Sequence, residues 1–329
     1  MGSTVVLSDK TRIFDSHTDN LILKLFKNLR KMNLQGTRLW EKQIDKDVAF
    51  LFNKWDVQEF CANKDAYTGL VLECKSKTHG SSVIKMYPPF LSRRFVKESF
   101  IISQLRDYPQ ATLLDVEPSR NAMLLERIIP GNYIDFEADK KEIAEMFLSM
   151  REKRLKVKDV LNIPNEIKGI IAQTEDELEV ASKYNYFPKL LTHLVGTAGK
   201  IYEKSFGGET KYLLHGDAYY KNALKSGNGI RIIDPVGYVD AFVFEYMPFL
   251  AYELVNHSVL SEYRKKYYEL VNFFSTFTDT SKFNEATYIF LVKQLVPSVY
   301  EANDGYVRAN KYMQLIKELF LDDYNKPVL

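Results

Sequence analysis

The chain has 329 residues, of which 46% are hydrophobic and 27% charged, enough for two lobes with separate cores. Its 45 basic residues nearly balance 43 acidic ones, for a net charge of +2, which argues against a large nucleic-acid footprint and for a small-molecule or protein substrate. Two cysteines, Cys61 and Cys74, are too few for a disulfide framework or a zinc cage and read as buried free thiols.

The opening, "MGSTVVLSDKTRIFDSHTDN", has no basic start followed by an apolar run, so no signal peptide and a cytoplasmic location are expected. Val6 stands where a myristoylation pattern needs Ser or Thr. No apolar stretch approaches the roughly 20 residues that cross a bilayer, so no membrane partner is expected. The glycosylation-type triplet at Asn256 reads as chance in such a chain.

Residues 18–33 and 39–54 carry apolar positions at helical spacing, with Thr18 or Asp19 as a cap, and form a helical preface. From Trp55 the pattern shortens to "VQEFCA", "GLVLECK" and "SSVIKMY", separated by turn-type clusters, which predicts a small antiparallel sheet. A helix from about 94 to 106 and two strand-like runs, "ATLLDVEP" and "NAMLLERI", follow before "IPGNY" breaks the pattern as a hinge. Beyond it the chain reads as mostly helical, near 135–151, 186–205, 259–275, 284–300 and 307–321. The strand-rich exception is "KYLLHGDAYYKNALKSGNGIRIIDPVG".

Within that exception, Leu213 and Leu214 read as the end of a buried strand, so His215, Asp217 and Asn222 fall on the loop behind it. "NALK" and "GIRIID" flank "SGNG" as a hairpin. If Lys225 faces Ile230, Asn222 comes opposite Ile233, and Asn222 and Asp234 share one end of the hairpin close to Asp217. Hard oxygen donors of this kind suit Mg²⁺ held jointly with substrate phosphates. Phosphoryl transfer uses that arrangement: one aspartate accepts the hydroxyl proton, while an asparagine and a second aspartate hold metal. The plain alternative is three polar residues satisfying their own turns.

The first half offers an independent test. Lys85 is a charged amine built into a strand, and Glu98 shares a helix face with Ile101, Ile102 and Leu105. An inward carboxylate needs a partner, and a strand lysine paired with a helix glutamate is how kinases place an amine on nucleotide phosphates. A solvated Lys97–Glu98 surface pair is the alternative.

These residues resemble a known family, the aminoglycoside phosphotransferases, kinase-like enzymes that use ATP to phosphorylate small molecules. "HGDAYYKN" resembles their His-Gly-Asp-x4-Asn loop, and "IIDP" the Ile-Asp-Pro that follows it. "NAMLLERIIPG" is similar to the hinge of the streptomycin and hydroxyurea phosphotransferase group. "RLWEKQIDKDVAFLFNKWDV" resembles that group's preface, and "SVYEANDG" its C-terminal stretch.

The resemblance implies an α+β, bilobal protein-kinase-like fold. Residues 1–54 would form a helical extension, 55–128 a nucleotide-binding antiparallel-sheet lobe, and 129–329 a larger helical lobe with the catalytic loop and substrate site. It implies Asp217 as base, Asn222 and Asp234 as Mg²⁺ ligands, Lys85 on the ATP phosphates with Glu98 holding it, and adenine against the Glu126 to Ile128 backbone. The chain departs from the family at the nucleotide loop "ANKDAYTG", whose one glycine is Gly69, at Tyr219 and Tyr220, and at Val239-Asp240-Ala241.

Asp240 and Glu245 are candidates to pair with a cationic sugar, or else acids that cap the following helix. The expected activity is ATP-dependent phosphorylation of a small-molecule hydroxyl, with an aminoglycoside-type antibiotic as one acceptor and resistance as its consequence. The alternatives are a metabolic kinase for an amino sugar, nucleoside or amino alcohol, and an inactive nucleotide-binding protein of the same fold. The segment after Asp234 lacks the long activation loop of a protein kinase, and no motif names the acceptor or an oligomeric state.

Overall fold

Alternation of buried and exposed positions builds the first sheet. In the computed structural model, which describes residues 5–6, 16–63, 66–183, 188–256, 259–300 and 305–324, the strands are β1 (Val5–Val6), β2 (Val57–Ala62), β3 (Leu70–Ser76), β4 (Gly80–Met86), β5 (Leu113–Glu117) and β6 (Ala122–Glu126). They lie in the order β1-β2-β3-β4-β6-β5, with antiparallel neighbours throughout. Lys64 and Asp65 of the nucleotide loop, residues 301–304 of "SVYEANDG", the triplet residues after Asn256 and most of the opening stretch lie outside the described residues.

The helical preface is α1 (Ser16–Met32), α2 (Leu34–Glu41) and α3 (Ile44–Lys54). Periodicity ran 39–54 together because Trp40, Ile44, Val48 and Leu51 keep one apolar stripe across the break. The preface packs on one face of the sheet: Leu25, Leu29, Trp40, Val48 and Phe52 share a buried cluster with Phe60, Leu72, Ile84, Met86 and Leu124. The other face takes α4 (Ser92–Gln104), with Phe95 and Ile102 against Tyr87, Met123 and Leu125. Because side chains alternate along a strand, Lys85 between Ile84 and Met86 points to the α4 face. Cys74 is buried as expected, but Cys61 is only half-buried, a correction that follows from its place on the outermost long strand.

The chain divides into two compact units, Met1–Arg106 with Gln110–Gly131, and Asp107–Pro109 with Asn132–Leu329. β7 (Pro130–Tyr133) carries the passage between them. The three residues of the second unit's first piece are tied in by backbone, since Ile232 N–H donates to Pro109 O at 2.7 Å.

The second unit is mostly helical: α5 (Lys140–Glu152), α6 (Ile170–Ser182), α7 (Pro188–Phe206), α8 (Met247–Asn256), α9 (Tyr263–Ser275), α10 (Phe283–Ser298) and α11 (Gly305–Tyr324). Two of these escaped periodicity. α6 buries only Ile170, Thr174 and Ala181 of a charged segment, and α8 is apolar nearly all round. Short strands complete the unit: β8 (Leu155–Lys156), β9 (Lys211–Leu214), the hairpin β10 (Ala223–Ser226) and β11 (Gly229–Ile232), and β12 (Tyr238–Ala241). β9 lies between β8 and β12, antiparallel to both. Antiparallel sheet in one unit and helices in the other give the α+β, kinase-like architecture expected. Among the described residues no helix is long and apolar enough to cross a membrane.

Candidate active site

In the first unit, β4 sits between β3 and β6, with Lys85 opposite Val71 and Met123. Lys85 is 7% exposed and Glu98 4%. Lys85 Nζ donates to Glu98 Oε1 at 2.8 Å, and Tyr87 Oη donates to Glu98 Oε2. Both carboxylate oxygens are thus engaged, and the lysine ammonium also lies 5.3 Å from the centroid of the Tyr87 ring. The burial of Glu98 excludes the solvated Lys97–Glu98 alternative.

Gly69 ends the "ANKDAYTG" stretch, and a Cβ there would stand 2.7 Å from Met86 O. Close approach to the end of β4 requires the glycine. Farther along, the Glu126 carboxylate accepts from Thr112 N and Oγ1, while Glu126 N–H donates to Thr112 O and Arg127 N–H to Ser81 O. Ile128 is buried.

In the second unit, β9 ends in buried Leu213 and Leu214 and delivers His215 and Gly216 to a sharp turn. Gly216 has φ 75°, the left-handed region that favours glycine, and a Cβ on it would meet the Tyr238 ring at 2.3 Å. Glu245 fixes this elbow. Its two oxygens accept from His215 N and Gly216 N, both at 2.9 Å. Burial pushes its carboxyl up to about 7, against the pull of those two amides.

His215 is fully buried, its carbonyl accepts from Val236 N and Gly237 N, and its Nδ1 accepts from Asp217 N at 3.3 Å. Loss of hydration lowers its imidazole to about 3, so the ring is neutral and serves as an acceptor.

Asp217 and Asn222 meet directly: Asn222 Nδ2 donates to Asp217 Oδ2 at 2.7 Å and to Asp217 O at 3.1 Å. The hairpin has the register read from the sequence, Lys225 opposite Ile230, and Ile233 N–H donates to Asn222 O at 2.8 Å. Asp234 follows, exposed, with φ 59°, a conformation uncommon for a residue other than glycine and enriched at functional positions. Burial pushes the Asp217 carboxyl up to about 8; Lys293 and Asn222 oppose the rise, and Asp234 and Glu245 add to it.

The donor set fits a hard divalent cation. Asn222 commits its amide nitrogen to Asp217, which leaves the amide oxygen directed elsewhere, and Asp234 offers an exposed carboxylate. Among the described residues no group of three His, Cys, Asp or Glu could hold a metal by itself; Mg²⁺ is commonly bound by one or two protein groups together with phosphates and water.

Two candidates are corrected. Asp240 and Glu245 are both 0% exposed. Asp240 accepts from Ile170 N at the start of α6, from Tyr202 Oη and from Lys211 Nζ, and Glu245 holds the elbow amides. Their oxygens are thus engaged by groups of the protein itself. The helix that Asp240 caps is the earlier α6, not the one that follows it.

Sequence reading also missed Lys293 of α10, buried beside Tyr238, and the stacked pair Tyr219–Tyr252, whose centroids lie 3.9 Å apart at 19°. The available signal for Lys293 was the lone charge in "YIFLVKQLVP".

No family model matches the chain, and no curated protein sequence does. Solved structures do. The choline kinase LicA from Streptococcus pneumoniae superposes with a TM-score of 0.60 at 11% identity, over 85% of this chain and 98% of that one. A choline kinase from Cryptosporidium parvum gives 0.58 at 12%, over 84% and 96%. A thermostable mutant of an aminoglycoside phosphotransferase gives 0.56 at 13%, over 82% and 98%. At such identities the likeness is one of fold, and the fold of this chain is the kinase-like one that these choline kinases and the aminoglycoside phosphotransferase share.

Proposed function

We propose that the chain is a small-molecule phosphotransferase that moves the γ-phosphoryl group of ATP to an alcohol oxygen, with Mg²⁺ as its metal. The observation that carries this reading is the gathering of Asp217, Asn222 and Asp234 at one end of the β10–β11 hairpin. Residues 55–128 bind the nucleotide, residues 129–329 supply the catalytic loop and the acceptor site, and residues 1–54 support the sheet.

Lys85, held by Glu98, meets the nucleotide phosphates. Adenine lies against the Glu126 to Ile128 backbone, and because Glu126 N–H and Arg127 N–H already have backbone acceptors, the donor to its edge is Ile128 N–H. The Asn222 amide oxygen and the Asp234 carboxylate would hold Mg²⁺, which would supply charge stabilisation at the phosphate oxygens. Asp217, whose carboxyl burial pushes up to about 8, accepts the proton of the acceptor hydroxyl in its ionised form and orients that oxygen for attack. Asn222 Nδ2 fixes the Asp217 carboxylate, and neutral His215 holds its backbone N–H.

With Asp240 and Glu245 engaged inside the protein, the first reading of the acceptor is a small hydroxyl compound such as an amino alcohol or sugar, supported by the likeness to choline kinases. Antibiotic inactivation is the second reading and rests on the likeness to aminoglycoside phosphotransferases. Both are tested by following labelled phosphate from ATP into amino alcohols, amino sugars, nucleosides and aminoglycosides. Transfer to one class that disappears in Asp217→Asn is the expected result. Failure to bind Mg²⁺·ATP at all would sink the activity.

A further inference from the structure

α10 is buried on nearly every side, and a lysine within it must have compensation for its lost hydration. Lys293 is 8% exposed. Its ammonium lies 5.5 Å from the centroid of the Tyr238 ring and 5.9 Å from that of Phe290, within the range of cation–π attraction. Tyr238 in turn abuts Gly216 so closely that no Cβ fits between them. Through one ring, Lys293 therefore reaches the backbone immediately before Asp217. It reaches Asp217 by charge as well. Burial works against its own ionisation, yet Tyr238, Glu177 and Asp217 hold the ammonium charged.

We propose that Lys293 is a positioning residue for phosphoryl transfer: from α10 it holds Tyr238 against Gly216 and so fixes Asp217 with respect to the acceptor oxygen. The proposal rests on the phosphotransferase reading. Gly216 sits in a left-handed conformation that few residues share, so the elbow needs support from outside itself. Glu245 supplies it through two amides, and the Tyr238 ring, weighted by the ammonium, supplies it on the glycine's α-carbon. Displacement of a base by about 1 Å is enough to slow a reaction about 10²-fold. The competing explanation is a tie between helices, in which Lys293 serves only to neutralise Glu177 on α6.

The test compares Lys293→Met, Lys293→Arg and Glu177→Gln in the full chain, with Mg²⁺·ATP as the probe. Three quantities are read: Mg²⁺·ATP affinity, the rate of phosphate release from ATP with water as acceptor, and amide hydrogen exchange of residues 213–222. Lys293→Met should leave affinity within about twofold, lower turnover by about tenfold or more and speed exchange in that loop. Lys293→Arg should retain most of the turnover, and Glu177→Gln should change neither rate nor loop exchange.

The proposal is overturned if Glu177→Gln reproduces Lys293→Met, or if Lys293→Met keeps wild-type turnover and loop protection. Should the wild type fail to bind or turn over Mg²⁺·ATP, the phosphotransferase reading falls by itself. Loop exchange then still decides whether Lys293 anchors the elbow: unchanged exchange rejects the anchor, and faster exchange rescued by arginine retains it.

Discussion

Lys85 and Glu98 illustrate how a buried ion pair separates stability from function. Taking two charges out of water costs about as much as their attraction returns, whereas removing one partner alone costs about 3–5 kcal/mol. Lys85→Met should therefore lower the melting temperature as well as abolishing turnover. Adding Glu98→Gln should recover most of the stability and none of the activity, a contrast that calorimetry and a turnover assay would read together. Asp217→Asn keeps the shape of the loop but removes the proton acceptor, so Mg²⁺·ATP affinity should stay within a few-fold while transfer falls by about 10² or more. Near-normal transfer would remove Asp217 from its role. Asp234→Asn should weaken Mg²⁺·ATP far more than metal-free nucleotide, and equal losses would count against a metal ligand there. Glu98 was legible because its helix face repeats with Ile101 and Ile102. The hairpin register, legible in the sequence, makes Asn222 and Asp234 neighbours. Asp240 and Glu245 were misread because nearness in sequence does not say which way a carboxylate points. Lys293 was overlooked because its partners lie on β12 and α6, far away along the chain.

At the scale of elements, the elbow between β9 and the hairpin is held by contacts that no local pattern reveals. Gly216→Ala would place a methyl group inside the Tyr238 ring and strain a left-handed backbone. We expect a loss of at least about 1–2 kcal/mol in denaturant unfolding, together with impaired transfer. An alanine variant with unchanged stability would contradict the close packing. β2 was readable to the residue because its β-rich run is bounded by turn residues on both sides. α6 was not, since its apolar stripe is three residues wide over a charged helix, and α8 was not, since a helix apolar on all sides has no period to detect. The break between α2 and α3 escaped for the opposite reason, its stripe continuing across the turn.

For the whole molecule, proton linkage gives a testable signature. Burial raises Asp217 to about 8 and Glu245 to about 7, above the ~4 of a carboxyl in an unfolded chain. Between those values the folded chain holds protons that the unfolded chain has lost, so stability falls as pH rises. His215, lowered to about 3, acts oppositely below about pH 6.5, where only the unfolded imidazole takes up a proton. The ligand-free melting temperature should thus climb as pH drops from 8 to 6.5 and gain less below that. Asp217→Asn should flatten the upper limb, and a wild-type melting temperature constant from pH 6.5 to 8 would refute the assignment.

Connectivity has a consequence of another kind. The backbone passes between the units after Arg106, after Pro109 and after Gly131, and the brief middle visit supplies the carbonyl that receives Ile232 N–H. A gene truncated or spliced at residue 131 would deliver a second unit without that carbonyl, and a first unit whose chain runs through a segment foreign to it. The two halves are therefore not interchangeable cassettes.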